Sequence, residues 1–305
     1  MSSSYKIGVD GGGTKTEFIL VDDSGATLAT HLGPGCNPSQ VGPDKAREIL
    51  LEGLSTLSSQ LSAGGISATH LYMAGSPAFW AETAAKLTGF GRVITGIDSV
   101  PVLELATRGA PGLVLHAGTG SFVTARAPDG STHYAGGLGW KLGDVGSGFD
   151  LGRRAVAGAM LELQGWPLTG TRAPSALAEA LRAHTGLADY AANSRFFYTN
   201  PDANAVISAF APRVLELAEQ NCGPAQQVVA DSVTDLARLA DVVIHRLFPA
   251  PASAVPCGVS GRILNSVPAA FALRSLAAKL RWPVTLEFIS TPPIEGVRRL
   301  LMAKS

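Results

Sequence analysis

The sequence predicts a duplicated α/β fold in two domains, each a mixed sheet with flanking helices. Three observations carry this reading. A unit of strand, glycine knot, strand, turn and strand opens the chain and recurs about 105 residues later. Runs at helical spacing alternate with short β-branched or leucine-rich runs. Finally, 305 residues with 46% hydrophobic and 16% charged side chains suffice for two cored domains of about 150 residues each.

In the first half, Tyr5–Val9 reads as a strand, Gly11-Gly12-Gly13 as a knot, and Glu17–Val21 as the return strand. Asp22-Asp23-Ser24-Gly25 supplies turn chemistry before a third strand, Ala26–His31. Ala46, Ile49, Leu50, Leu54, Leu57 and Leu61 recur at helical spacing over Pro43–Leu61. A strand at His70–Met73, a helix at Ala81–Leu87 and a strand at Arg92–Gly96 follow, then an apolar helix after Asp98. The unit repeats as Leu113–His116, Gly118-Thr119-Gly120, Phe122–Ala127, the turn Pro128-Asp129-Gly130 and Ser131–Tyr134. Helices are expected at Gly152–Leu163, Pro174–Ala183, Ala205–Gln220 and Ala225–Leu247. A strand at Ala254–Cys257, a knot at Gly258–Gly261, a helix near Ala269–Leu280, a strand at Val284–Ile289 and a helix at Ile294–Ala303 close the chain. The domains fall at residues 1–112 and 113–292.

Composition excludes several function classes. Twenty-four basic and 24 acidic residues give no net charge, against the basic excess of a nucleic-acid partner. High hydrophobicity with no net charge excludes intrinsic disorder. No run of about 18 apolar residues is uninterrupted, so no membrane span is expected. The N-terminus lacks the apolar segment of a secretory signal, and a cytoplasmic location is expected. Cys36, Cys222 and Cys257 are odd in number and widely spaced, which suits neither a disulfide framework nor a zinc site.

The 35 glycines cluster in knots beside apolar runs, as ligand-gripping turns do and flexible linkers do not. Asp10-Gly11-Gly12-Gly13-Thr14-Lys15-Thr16 places an acid at the end of a strand and a strand after the turn, so it is not a Walker A loop. Backbone N–H groups in such turns can nest phosphate oxygens. Asp10 suits Mg²⁺ held through water, since that ion takes one or two carboxylates and keeps several waters. Two such hairpins, one per domain, read as a nucleotide clamp. Asp98 follows a strand and precedes a helix, a position where an N-cap is the commoner use and a general base the alternative. Asp144, in Gly143-Asp144-Val145-Gly146-Ser147, suits either a ligand contact or an Asx turn, and Asn37 before Pro38 suits a turn. Arg153-Arg154 lies at a helix start and suits a solvated face or a phosphate contact, and Trp140 suits a core position, the more usual case, or a stacking surface.

Taken together these motifs resemble the N-acetylglucosamine kinase and BadF/BadG/BcrA/BcrD-type ATPase family, over nearly the whole length. The carriers are Asp10–Thr16, the second loop Gly118-Thr119-Gly120-Ser121, the Gly136–Gly139 stretch before Gly143–Ser147, Phe210-Ala211-Pro212-Arg213-Val214, Gly258–Gly261 and Pro293–Gly296. Val145 stands where the family commonly has Glu, and Leu138 where it often has an aromatic residue. The resemblance implies a duplicated actin-like ATPase (ribonuclease H-like) fold around a nucleotide cleft, with the last helix, 293–305, returning to the first domain. It implies ATP and Mg²⁺ as cofactors and phosphorylation of an amino sugar, N-acetylglucosamine or glucosamine, at its 6-hydroxyl. By the same resemblance Gly11, Gly12, Gly13, Thr14, Lys15, Thr16, Gly118, Thr119, Gly120 and Ser121 bind the phosphates. Gly258, Val259, Ser260 and Gly261 line the adenosine, Asn37, Asp98 and Asp144 meet the sugar, and Asp98 is the catalytic base. A homodimer stays open, as do two other activities: an ATPase activator of a CoA-linked reductase and a non-catalytic sugar sensor. The activator needs cysteines near the second loop, and His116–Ser121 has none. The sensor needs an appended helix-turn-helix, for which a strand starting at Tyr5 leaves no room.

Overall fold

A computed structural model describes residues 4–61, 64–166 and 174–303. The chain divides into two compact units, Met1–Ala110 with Thr291–Ser305, and Pro111–Ser290.

The first unit starts with the meander β1 (Ser4–Gly11), β2 (Lys15–Asp22) and β3 (Thr27–Pro34). After a single turn, α1 (Pro38–Val41), come α2 (Pro43–Ser58), β4 (Gly65–Met73), α3 (Pro77–Ala85), β5 (Arg92–Ile97) and α4 (Ser99–Thr107). The sheet runs β3-β2-β1-β4-β5, antiparallel across the meander and parallel from β1 through β4 to β5. Ala46, Ile49, Leu50, Leu54 and Leu57 of α2 are buried together with Ile7, Val9, Phe18 and Leu20. The helical spacing in the sequence thus becomes one face of this core.

The second unit repeats the plan with β6 (Gly112–Ala117), β7 (Ser121–Arg126) and β8 (Thr132–Gly136). Five helices follow: α5 (Gly148–Leu163), α6 (Ala176–Thr185), α7 (Tyr190–Thr199), α8 (Ala203–Glu219) and α9 (Gly223–Leu247). Then come β9 (Val255–Ser260), α10 (Val267–Lys279) and β10 (Val284–Phe288). Its sheet order is β10-β9-β6-β7-β8, again antiparallel in the meander and parallel from β6 to β9 to β10. Matching orders and senses bear out the duplicated α/β architecture. α1 and α7 are additions to the sequence reading: each is short, and Asn37 and Asp189 cap them. Gly258 does not open a turn as expected but lies inside β9, which runs on to Ser260. Trp140 is also not in a core; it is 44% exposed in the loop after β8. Among the described residues no helix is long and apolar enough to cross a membrane.

The last helix, α11 (Pro293–Met302), packs in the first unit on α4 and β1. Val297 and Leu301 are buried with Ile19, Val21 and Tyr72, worth about 1.5–3 kcal/mol per fully buried side chain. Two glycines allow this approach. A Cβ on Gly8 would lie 2.5 Å from Val297 Cγ1, and one on Gly296 would lie 2.1 Å from the Pro101 carbonyl oxygen. The second contact is with backbone, which cannot rotate away. Gly296→Ala should therefore cost about 2–3 kcal/mol in urea denaturation through overpacking. Gly223→Ala, where a Cβ meets nothing within 4 Å, should change stability by less than about 0.5 kcal/mol. Equal losses would refute the backbone-contact account.

Candidate functional site

Parallel pairing gathers the carboxyl ends of β1, β4 and β5 on one edge of the first sheet, because Gly11 pairs with Met73 and Met73 with Ile97. Open α/β sheets bind ligands at this edge. Asp10 and Asp98 both stand there. Around them Gly12 N–H donates to the Lys15 carbonyl at 2.9 Å, Cys36 N–H to the Gly12 carbonyl at 3.1 Å, and Ala74 N–H to the Gly11 carbonyl at 2.7 Å. A Cβ on Gly35 would sit 2.0 Å from the Gly13 carbonyl oxygen, so the Gly35 segment presses directly on the turn.

Asp98 occupies the N-cap position of α4 but makes no side-chain capping bond. The structural use that the sequence allowed for its carboxylate is therefore not taken up. Burial pushes its pKa up to about 6, against the pull of its own and the Ser99 N–H groups. Asp10 is pushed to about 7, first by burial, then by the charges of Asp98 and Glu17, with Lys15 opposing. Glu17, which the sequence reading passed over, is the cross-strand partner of Asp10. It holds Lys15 Nζ at 2.9 Å through Oε1, while its buried Oε2 has no partner. Alternation along β2 could have exposed it, since residues paired directly across two strands share a face.

The remaining residues expected at the first hairpin divide by accessibility. Thr14 and Lys15 are exposed on the turn, and Gly12 and Gly13 are partly so. Gly11 is buried at the strand end, and Thr16 is buried with its hydroxyl donating to the Pro34 carbonyl at 2.8 Å. The hydroxyl proton of Thr16 is thus spent inside the fold. Asn37 accepts from Ser39 N–H at 3.0 Å, and its Oδ1 lies 2.8 Å from where Gly75 would carry a Cβ.

In the second unit the turn Gly118–Gly120 closes with Gly118 N–H donating to the Gly120 carbonyl at 2.8 Å. Gly120 lies against Asp144, whose Oδ2 is 3.3 Å from a Cβ built there; Asp144 Oδ1 accepts from Gly139 N–H at 2.9 Å. Burial raises the Asp144 pKa, opposed by that bond. Ser121, expected on phosphate, is buried and donates to the Val145 carbonyl at 2.7 Å, so its hydroxyl too is committed to the fold. Gly258 and Val259, expected at adenosine, are buried in β9 between β6 and β10. Ser260 bonds His116 Nδ1 at 2.8 Å. Gly261 alone of that group forms the turn, at φ +91°. His116 stacks on Phe122 with centroids 4.8 Å apart, and burial lowers its pKa to about 4, so it is neutral at pH 7. The Arg154 side chain is not on a solvated face; it pairs with Asp150 and Asp235.

Chemically, the first unit offers a glycine hairpin beside carboxylates crowded enough to resist joint ionisation, a setting that favours a cation. Among the described residues no three metal-ligating side chains form a protein cage. A Mg²⁺ carried on nucleotide phosphates needs only one or two carboxylates, and Asp10 fits that need. The raised carboxyl pKa also has a stability consequence. A carboxyl whose folded pKa exceeds its unfolded one makes the fold lose stability as pH rises from about 4 to about 6. Without metal or nucleotide, Asp98→Asn should therefore gain about 2 kcal/mol at pH 8, discounting for partial exposure, and almost nothing at pH 4. Urea melts at both values check this; an equal gain at each pH would refute it.

Residues 7–255 match the BadF/BadG/BcrA/BcrD ATPase family. The chain is similar to an N-acetylmuramic acid/N-acetylglucosamine kinase of Clostridium acetobutylicum, 30% identical over 165 residues, 51% of this chain and 53% of that one. It is likewise 30% identical over 171 residues to an N-acetyl-D-glucosamine kinase of Dictyostelium discoideum, 50% of this chain and 53% of that one. The chain thus spans about half the length of the curated relatives it matches. A solved structure of an inferred N-acetylglucosamine kinase from Chromobacterium violaceum superposes with a TM-score of 0.76 at 28% identity, covering 98% of this chain and 99% of that one. The sheet orders, this superposition and the family match together give a duplicated actin-like ATPase fold. With the match running through both meanders and on to β9, the chain belongs to the BadF/BadG/BcrA/BcrD ATPase family.

Proposed function

We propose that the protein is an ATP-dependent kinase that phosphorylates the 6-hydroxyl of an amino sugar, N-acetylglucosamine or glucosamine. The observation that carries the reading is Asp98: a carboxylate at the carboxyl edge of the sheet, left uncapped beside a glycine hairpin, with its pKa raised to about 6. The names of the kinases it resembles at 28–30% identity support the acceptor class.

In this mechanism the phosphates lie at the turns Gly12–Lys15 and Gly118–Gly120, whose Gly12 and Gly118 N–H groups close the turns themselves, and Gly261 lies at the adenosine. Asn37 and Asp144 orient the acceptor sugar. Asp98 accepts the proton of the attacking hydroxyl, worth about 10²–10⁴ in rate. Asp10 would hold a Mg²⁺ ion, which would supply neutralisation of charge on the transferring phosphoryl group when bound with ATP. The protein works in the cytoplasm on a small molecule, and a homodimer remains compatible with this activity.

A coupled ADP-release assay across glucosamine, N-acetylglucosamine, N-acetylmannosamine and glucose tests the reading. Turnover of an amino sugar is expected, and no turnover at millimolar concentration would end the assignment. kcat/KM should fall below about pH 6 as Asp98 takes up its proton. Asp98→Asn should keep ATP and sugar binding while losing about 10²–10⁴ in kcat; activity within tenfold of the parent would move the base elsewhere. Asp10→Asn should raise the Mg²⁺ requirement with sugar affinity little changed. Asp144→Asn should lower kcat/KM for the sugar by about 10- to 150-fold, as loss of a charged hydrogen bond does. Exchanged responses in separate Mg²⁺ and sugar titrations would reverse these two roles.

A further inference from the structure

A buried ion network lies next to the second glycine turn without touching it. The Asp150 side chain is 6% exposed. Its Oδ2 accepts from Ser232 Oγ at 2.7 Å, Arg154 Nε at 2.9 Å and Gly146 N–H at 3.2 Å, and its Oδ1 from Arg153 at 3.1 Å. Arg154 continues to Asp235 on α9. Burial alone would push the Asp150 pKa up; Ser232, Arg154 and the Gly146 N–H together overcome it and hold the carboxyl below its ordinary range.

The chain between the network and the turn is short. Gly146 has φ +85°, and a Cβ on it would come within 2.8 Å of Leu236 on α9, so this loop is pressed against the helix with its N–H aimed at Asp150. Its neighbours then reach the second hairpin. The Val145 carbonyl takes the Ser121 hydroxyl at 2.7 Å, Gly148 N–H donates to the Gly118 carbonyl at 2.8 Å, and Asp144 lies against Gly120. Ser147 Oγ accepts from Asp150 N–H at 3.2 Å, tying the loop to the first turn of α5. Buried ion pairs add little net stability compared with an apolar replacement of similar volume. What this one adds is an anchor for the loop at Gly146, beside those that Asp144 and Ser147 already supply.

We infer that Asp150 is a positioning residue for the nucleotide-binding turn Gly118–Gly120, acting through the Gly146 amide and the Gly143–Ser147 loop. The inference rests on the reading of that turn as a phosphate loop. Its test compares the inner and outer ends of the network. Asp150→Asn replaces an acceptor facing Gly146 N–H and Ser232 with an amide that cannot satisfy every donor. Asp235→Asn loosens only the outer end and leaves the Gly146 bond in place.

The dissociation constant for ADP, measured by calorimetry on the whole chain, should rise about tenfold in Asp150→Asn, as should KM for ATP, with kcat within about threefold. Asp235→Asn should stay within about twofold for ADP. Amide hydrogen exchange over residues 118–121 and 143–148 should quicken in the first variant alone. If Asp150→Asn does not fold, Ser232→Ala removes one donor to the same oxygen and should weaken ADP about threefold. ADP binding unchanged in Asp150→Asn, or weakened equally in Asp235→Asn, overturns the inference while leaving the phosphate-loop reading intact. A parent protein that binds no ADP overturns both.

Discussion

The structure depends on one constraint, the parallel pairing that brings strand ends to a common edge. β1, β4 and β5 share such an edge in the first unit, and β6, β9 and β10 in the second. Backbone hydrogen bonds set the register, and a slip of one residue would turn every side chain to the opposite face. Asp10 and Asp98 are distant in sequence, yet Asp98 helps to raise the pKa of Asp10 because the Gly11–Met73–Ile97 row aligns the strands that carry them. The same logic puts His116 beside Ser260.

Close backbone approach is the second requirement, and glycine meets it. Gly35 against the Gly13 carbonyl and Gly296 against the Pro101 carbonyl are contacts at which any side chain would displace main chain. The cost is conformational entropy in the unfolded chain. The strands and helices around these contacts supply the compensating burial, as Val297 and Leu301 do above Gly8.

Hydroxyls beside the glycine turns are committed to the fold in a way that residue type alone does not reveal. Thr16 and Ser121 follow their glycine turns and resemble phosphate donors, yet both are buried and bonded to carbonyls of neighbouring segments. They hold the hairpins' surroundings, which leaves the turns themselves, Gly12–Lys15 and Gly118–Gly120, as the accessible parts. Asp98 shows the opposite outcome. A residue that could have been a cap keeps its carboxylate free of that duty.

The sequence by itself determined the duplicated plan, the strands of both meanders, the buried face of α2, the presence of α9, and the glycine turns of the two meanders. Periodicity and turn chemistry act within a few residues, so they can be read along the chain. The helices α1 and α7 were not legible, since α1 is a single turn with no buried residue and α7 buries only Asn193, so neither carries an apolar face. Only the tertiary structure decided that Gly258 and Val259 are interior strand residues, that Trp140 is exposed, and that Arg154 faces Asp150 and Asp235. It alone set Glu17 opposite Asp10 and left one of its oxygens unpartnered. The physical reason is common to all of these. Exposure, ion pairing and pKa depend on which distant segments pack around a side chain, and local spacing does not encode those neighbours.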